Sequence, residues 1–202
     1  MHWIFAIGWF GQGAYLGRSL LQWLRSERAG RSIVPDGFWI LSILGAIALL
    51  AYATLRHDPV IILGQAVNLA IYLRNLHLAS HRERPRLGPR ILGLALTVLT
   101  MAHLTAMMQS LHQDHSPRML VGWLGQFIFL TRFPLQWWSA ERHAIVELPP
   151  LFWWTSLVGS ILLLAYAAWR HDPVIAAGQG VGLMTYVRNI SLQHRVRALA
   201  SK

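Results

Sequence analysis

Along the chain, apolar residues gather in seven long blocks, with most charges and prolines between them. The blocks run over roughly 3–24, 36–55, 59–77, 90–110, 118–138, 150–169 and 173–191. Each is close to the ~20 residues that an α-helix needs to cross a hydrocarbon core about 30 Å thick. The pattern predicts an all-α integral membrane protein with seven transmembrane helices. The segments between blocks are too short to hold a soluble catalytic domain. The first block has no basic stretch before it and no small-residue cleavage site, so it reads as a retained helix rather than a signal peptide.

The pattern repeats at a constant offset of 114 residues. "GWFGQ" at Gly8–Gln12 meets "GWLGQ" at Gly122–Gln126, Arg18 meets Arg132, and "LQW" at 21–23 meets "LQW" at 135–137. Glu27-Arg28 meets Glu141-Arg142, and Phe38-Trp39 meets Phe152-Trp153. "RHDPVI" occurs at 56–61 and again at 170–175, followed by Gly64-Gln65 and Gly178-Gln179. Tyr72, Arg74 and Asn75 meet Tyr186, Arg188 and Asn189. Roughly half the positions between 8 and 75 are identical to their partners, which is internal duplication and not shared composition. Each repeat holds three helices, and a three-helix unit followed directly by its copy would be inverted. The fourth block turns the chain back, so the two bundles are expected to be parallel, in a 3+1+3 plan. The divisions expected are 1–80, 81–116 and 117–202.

These motifs resemble the lipid A biosynthesis N-terminal domain (LAB_N) family. That family carries G-W-x-G-Q, an Arg followed by Q-W and S-E, then P-x-x-F-W, R-x-D-P-V, G-Q and Y-x-R-N. Both halves match. The family is distantly similar to transporters of the PQ-loop and SWEET type, which also use three-helix units. The resemblance implies a place in lipid A or glycolipid biosynthesis. It is named for lipid-A-disaccharide synthesis, but the 202 residues hold no glycosyltransferase domain, so that activity is not carried over. Two departures stand out. Ser26-Glu27 becomes Ala140-Glu141 in the second repeat, and Leu20 is replaced by Pro134.

Charge sets the orientation. One side holds Arg25, Arg28, Arg31, Arg82, Arg84, Arg86, Arg90, Arg142, Arg195, Arg197 and Lys202, and the other only Arg56, Arg118 and Arg170. By the positive-inside rule the N-terminus faces the periplasm and the C-terminus the cytoplasm of a bacterial inner membrane. The net charge of +10 would suggest nucleic acid in a soluble protein. Here the arginines flank apolar blocks, where they set orientation and attract anionic lipid, so no nucleic-acid partner is expected. With no cysteine there is no disulfide, thiolate metal site or cysteine nucleophile. The histidines show no metal-ligand spacing. No cofactor and no metal are expected, and no residue is assigned a catalytic role. Trp9, Trp39, Trp123 and Trp153 fit interfacial belts.

Four arginines, Arg18, Arg74, Arg132 and Arg188, fall within or at the edge of the apolar blocks. Counting from the outer helix starts at 1.5 Å per residue, Arg18 and Arg74 lie about 22 Å in, and their copies repeat this. They either snorkel to the cytoplasmic interface or form a ring of phosphate-binding guanidinium groups. Gln22 and Gln136 share the face of Arg18 and Arg132. Gln12, Gln126, Gln65 and Gln179 lie within the outer half, where a buried amide is either helix–helix glue or a substrate contact. Gln65, Asn68, Tyr72 and Asn75 form one polar stripe. The second repeat keeps Gln179, Tyr186 and Asn189 but has Gly182 in place of Asn68. Asp58-Pro59 and Asp172-Pro173 read as helix starts. The capping reading leaves Arg56 and Arg170, and the histidines beside them, to pair with the aspartates or with lipid phosphate.

The expected function is to bind, and to translocate or present, a phosphate-bearing lipid or a polyprenyl-phosphate-linked sugar such as an undecaprenyl phosphate derivative. That is the behaviour of a flippase, or of an accessory protein to a membrane glycosyltransferase. Two alternatives stand beside it, a SWEET-like small-solute transporter and a membrane subunit of a lipid-A-disaccharide-synthase-type enzyme.

Overall fold

The computed structural model describes residues 2–29, 35–81, 102, 104–143 and 150–200. Every long element among them is helical: α1 (His2–Ala29), α2 (Asp36–Leu55), α3 (Pro59–His81), α5 (Pro117–His143), α6 (Pro150–Trp169) and α7 (Pro173–Ala200). The described part of α4 covers 104–113. The predicted ends of α2 and α6 match these bounds, and α1, α3, α5 and α7 run past theirs. The chain divides into two compact units, Met1–Ser110 and Leu111–Lys202. Within the first, α2 packs on both α1 and α3. Within the second, α6 packs on both α5 and α7.

The RHDP hexapeptide builds one tight corner, used twice. At the end of α2 the His57 N–H donates to Thr54 O (3.0 Å) and the Asp58 N–H to Ala53 O (2.9 Å). That is the paired bonding of a Schellman motif, with His57 at the left-handed position that glycine usually takes. Its φ is 49°, and that of His171 is 50°. The second corner repeats the bonds, from His171 to Ala168 O and from Asp172 to Ala167 O. Histidine is one of the residues that enters this region more readily than most. The same aspartates then open the next helix. Asp58 Oδ1 accepts the Ile61 N–H at 3.1 Å, and Asp172 Oδ1 accepts those of Val174 and Ile175. Pro59 and Pro173 follow at the first helical position, where a missing N–H costs little. Each aspartate therefore serves two helix ends at once, and both are buried, 3% exposed.

Close packing of the first two helices of each unit depends on facing glycines. A Cβ on Gly11 would stand 3.2 Å from Gly45 O, and one on Gly45 would meet the Tyr15 ring at 2.6 Å. In the second unit a Cβ on Gly159 would stand 2.7 Å from the backbone nitrogen of Phe129. The buried positions correspond across the repeat: Tyr52 with Tyr166, Leu49 with Leu163, Val60 with Val174, Ser42 with Ser156. Trp123 is buried in its unit, at 1% exposed, so it is a core residue and not the interfacial anchor that its sequence context suggests.

The middle helices are inside out by the standards of a water-soluble bundle. Ser42, Ser156 and Ser160 are fully buried, while Ile40, Leu44, Ile47, Trp154, Val158 and Ile161 are exposed. Of the described helices, α2 and α6 are long and apolar enough to cross a membrane, and the apolar stretch Pro59–Leu73 of α3 is shorter. Seven such helices are expected from the sequence. The others are diluted by the arginines, glutamines and basic ends they carry, and most of the fourth block lies outside the described residues.

Candidate functional site

Among the described residues, the first helix of each unit carries an arginine set among several aromatic rings, facing the unit's other two helices. In the first unit Arg18 of α1 reaches across to α2 and donates from Nη1 to Ser42 Oγ at 3.0 Å. Ser42 can accept because its own proton goes to Phe38 O, one turn back, at 2.6 Å. The guanidinium carbon lies 4.3 Å from the Tyr15 ring centre, 5.2 Å from that of Tyr72 and 5.3 Å from that of Phe38. Tyr72 packs edge-on against Tyr15 and tilted against Trp39. Each ring presents a cation–π contact worth about 0.5–2 kcal/mol depending on desolvation.

One turn nearer the start of α1, Tyr15 donates its hydroxyl to Gln65 Oε1 at 2.8 Å, tying α1 to α3. Asn68 approaches the same oxygen at 3.5 Å, and its Oδ1 is buried with no hydrogen-bond partner.

The second unit uses corresponding residues differently. Arg132 of α5 is buried, 9% exposed. It lies 3.7 Å from the Phe129 ring centre and 4.7 Å from that of Phe133. Its Nη1 donates to Tyr186 Oη on α7, at 3.4 Å, and its Nε has no partner. A buried guanidinium N–H without an acceptor costs about 1–3 kcal/mol. Ser156 still gives its proton to Phe152 O. Tyr186 packs against Trp153 and Phe129. A Cβ at Gly182 would stand 3.2 Å from that ring, so the missing side chain makes room for it. Gln179 accepts from Ser160 of α6 instead of from α5.

The predicted residues therefore separate into groups. Arg18 lies against the Tyr72 ring, and Arg132 donates to the Tyr186 hydroxyl. Arg188 is exposed. Arg74 lies on α3 and Gln136 on α5, but their side chains fall outside the described residues, as do Arg31, Arg82, Arg84, Arg86, Arg90 and Lys202. Gln65 and Gln179 take part in helix–helix hydrogen bonds. Gln12 and Gln22 are half-buried and Gln126 is buried. Asn75 is half-buried, and Asn189 donates back to Thr185 O on its own helix. Arg56 and Arg170 close α2 and α6, leaning on Phe5 and Tyr166. That is about 21 Å along α2 from the Ser42 level. Trp39 and Trp153, expected in interfacial belts, pack on the site tyrosines. Ser42, Tyr15, Phe129 and Phe133 were not singled out from sequence. The available signal was a serine repeated at the same place in two otherwise apolar helices.

The profile of the Lipid A Biosynthesis N-terminal domain matches residues 7–77 and 121–191. The chain belongs to this family. Each matched stretch contains one complete arginine–aromatic cleft, and the family unit is therefore the three-helix unit described above. The chain is 33% identical over 201 residues to a lipid-A-disaccharide synthase of Chlamydia abortus, an alignment covering 89% of this chain and 31% of that protein. The synthase of Chlamydia pneumoniae is 32% identical over 187 residues, covering 87% of this chain and 31% of that protein. That of Chlamydia felis is 29% identical over 211 residues, covering 96% and 34%. This LAB_N chain thus spans about a third of the length of the curated relatives it matches. No solved structure matches it.

Proposed function

We propose that this protein binds a phosphate-bearing lipid or lipid-linked sugar of lipid A or glycolipid metabolism within a bacterial inner membrane. In this reading it translocates that lipid or presents it to a membrane glycosyltransferase. The observation that carries the reading is the Arg132 guanidinium in its aromatic cleft, about 20 Å along α6 from the outer corner, in a bundle whose middle helix turns Val158 and Ile161 outward. Outward apolar faces with inward serines suit hydrocarbon as solvent. A guanidinium placed there is costly and conserves its energy by pairing with rings, hydroxyls or phosphate oxygens. Helices of 20 to 28 residues are long enough to span the bilayer. The reading takes the two units as parallel bundles joined by α4, with the N-terminus in the periplasm and the basic ends of α1 and α7 in the cytoplasm.

The names of the relatives support a second reading, a membrane module that serves a separate lipid-A-disaccharide-synthase-type enzyme. The chain matches only a third of those proteins and would supply the membrane part.

The test is to purify the protein in mild detergent and identify bound lipids by native mass spectrometry, with Arg18→Ala/Arg132→Ala alongside. Enrichment of a phosphate-rich glycolipid in the wild type, lost in the double variant, is expected. The same bulk phospholipid in both would rule the reading out.

A further inference from the structure

The two clefts share an arginine, a serine and a tyrosine at corresponding positions, yet they leave different groups unsatisfied. Arg18 is held by Ser42 Oγ at 3.0 Å, with rings of all three helices around it. Its place is part of the bundle's own packing. Arg132 has turned from Ser156 towards α7. It makes one long contact, 3.4 Å to Tyr186 Oη, and its Nε is buried without an acceptor. Ser156, fully buried, gives its proton to Phe152 O. Gly182 removes the side chain that Asn68 places at this point in the first unit, and Tyr186 is half-buried.

We infer that the second cleft is the anion site and that the first is a structural copy. In the second cleft the Nε–H and an Nη–H of Arg132 form the fork that matches two oxygens of one phosphate. The Tyr186 hydroxyl, now an acceptor for Arg132, can rotate to donate to a phosphate oxygen. The ligand class is a phosphate monoester or free phosphate, which present the same oxygens. The inference rests on the phosphate-binding reading above and adds that one repeat carries it.

The test uses the full chain in mild detergent, titrated by calorimetry with inorganic phosphate and, separately, with phosphatidic acid in mixed micelles, with phosphatidylcholine as control. One site per chain is expected. Arg132→Gln should weaken binding by about 10- to 100-fold, the effect of losing a charge-assisted fork. Arg18→Gln should change affinity by less than about threefold while lowering the melting temperature. Where Arg132→Gln does not fold, Tyr186→Phe replaces it and should weaken binding severalfold. Phosphatidic acid binding without free phosphate binding identifies a lipid headgroup site, and the converse identifies a solute anion. Equal losses in the two arginine variants, or a larger loss for Arg18→Gln, would overturn the assignment to the second repeat while leaving phosphate binding intact. Wild type that binds neither probe would overturn the phosphate reading as well.

Discussion

The two three-helix units descend from one sequence and keep the same corners, the same buried tyrosine and the same arginine, but they wire their polar groups differently. Three of the substitutions bear directly on the hydrogen bonds. Tyr15 is replaced by Phe129, which removes the hydroxyl that reaches Gln65. Ala46 is replaced by Ser160, which supplies Gln179 with a new donor from the middle helix. Asn68 is replaced by Gly182, which gives the ring of Tyr186 its space. In the first unit the polar bonds run from α1 to both neighbours. In the second, Arg132 of α5 reaches α7 by a long contact to Tyr186, and Ser160 of α6 takes over the glutamine. Buried amides must find a partner, so losing one donor is offset by gaining another nearby. The arginines have no such substitute, and the difference between them is functional in our reading.

The serines give the largest expected contrast. Ser42→Ala removes the acceptor of a charged donor and should lower stability by about 1–2 kcal/mol, part of the loss being recovered by water because Arg18 is half-exposed. Ser156→Ala removes a bond within one helix turn and should cost about 0.5 kcal/mol or less. Thermal unfolding of the two variants in the same detergent measures this. Equal losses would mean that the arginine–serine pair does not distinguish the units.

A smaller effect sharpens the account of the glutamines. Tyr15→Phe and Ser160→Ala should each cost about 1 kcal/mol, the worth of one neutral hydrogen bond. Adding Ala46→Ser to Tyr15→Phe installs the second unit's arrangement in the first and should recover most of that loss. No recovery would show that the two bundles differ in backbone spacing and not only in side chains.

The smallest effect belongs to a cap found at the start of the second unit, ahead of any counterpart in the first. Asp114 accepts the Ser116 N–H at 2.9 Å and lies 3.5 Å from Arg118 Nη2. Its hydrogen bonds with Ser116, then the charge of Arg118, hold its pKa below the ordinary 3.8. A carboxylate with a depressed folded pKa contributes stability above its unfolded value, and loses that contribution as pH falls through the folded one. The melting temperature of the wild type should therefore fall slightly more below pH 4 than that of Asp114→Asn. The group is exposed, so the difference is small, and parallel pH curves would remove the cap from the account.

Much of the architecture is legible in the residues. The block lengths, the offset of 114 and the Asp-Pro pairs define the helices, the duplication and the corners. Those signals are local or periodic, and backbone geometry acts on them directly. The histidine of RHDP is half legible. Its place after the helix suggests a cap, but its left-handed φ and the carbonyls that it and the aspartate satisfy are read only from the fold. The depth of Arg18 and Arg132 follows from counting along a helix. Their partners do not, because Ser42 and Tyr186 lie 24 and 54 residues away and are chosen by which faces meet. The same holds for Trp123, whose indole looks interfacial by position and is buried because α5 turns that face inward. The sequence by itself determined that there are two copies of one helical unit, each with an arginine deep within its first helix. Tertiary packing decided that one arginine is latched to a serine and the other is left with a bare N–H. The physical reason is that hydrogen bonds depend on ångström distances and on which side chain stands on the facing helix, and both are set by how the helix faces meet.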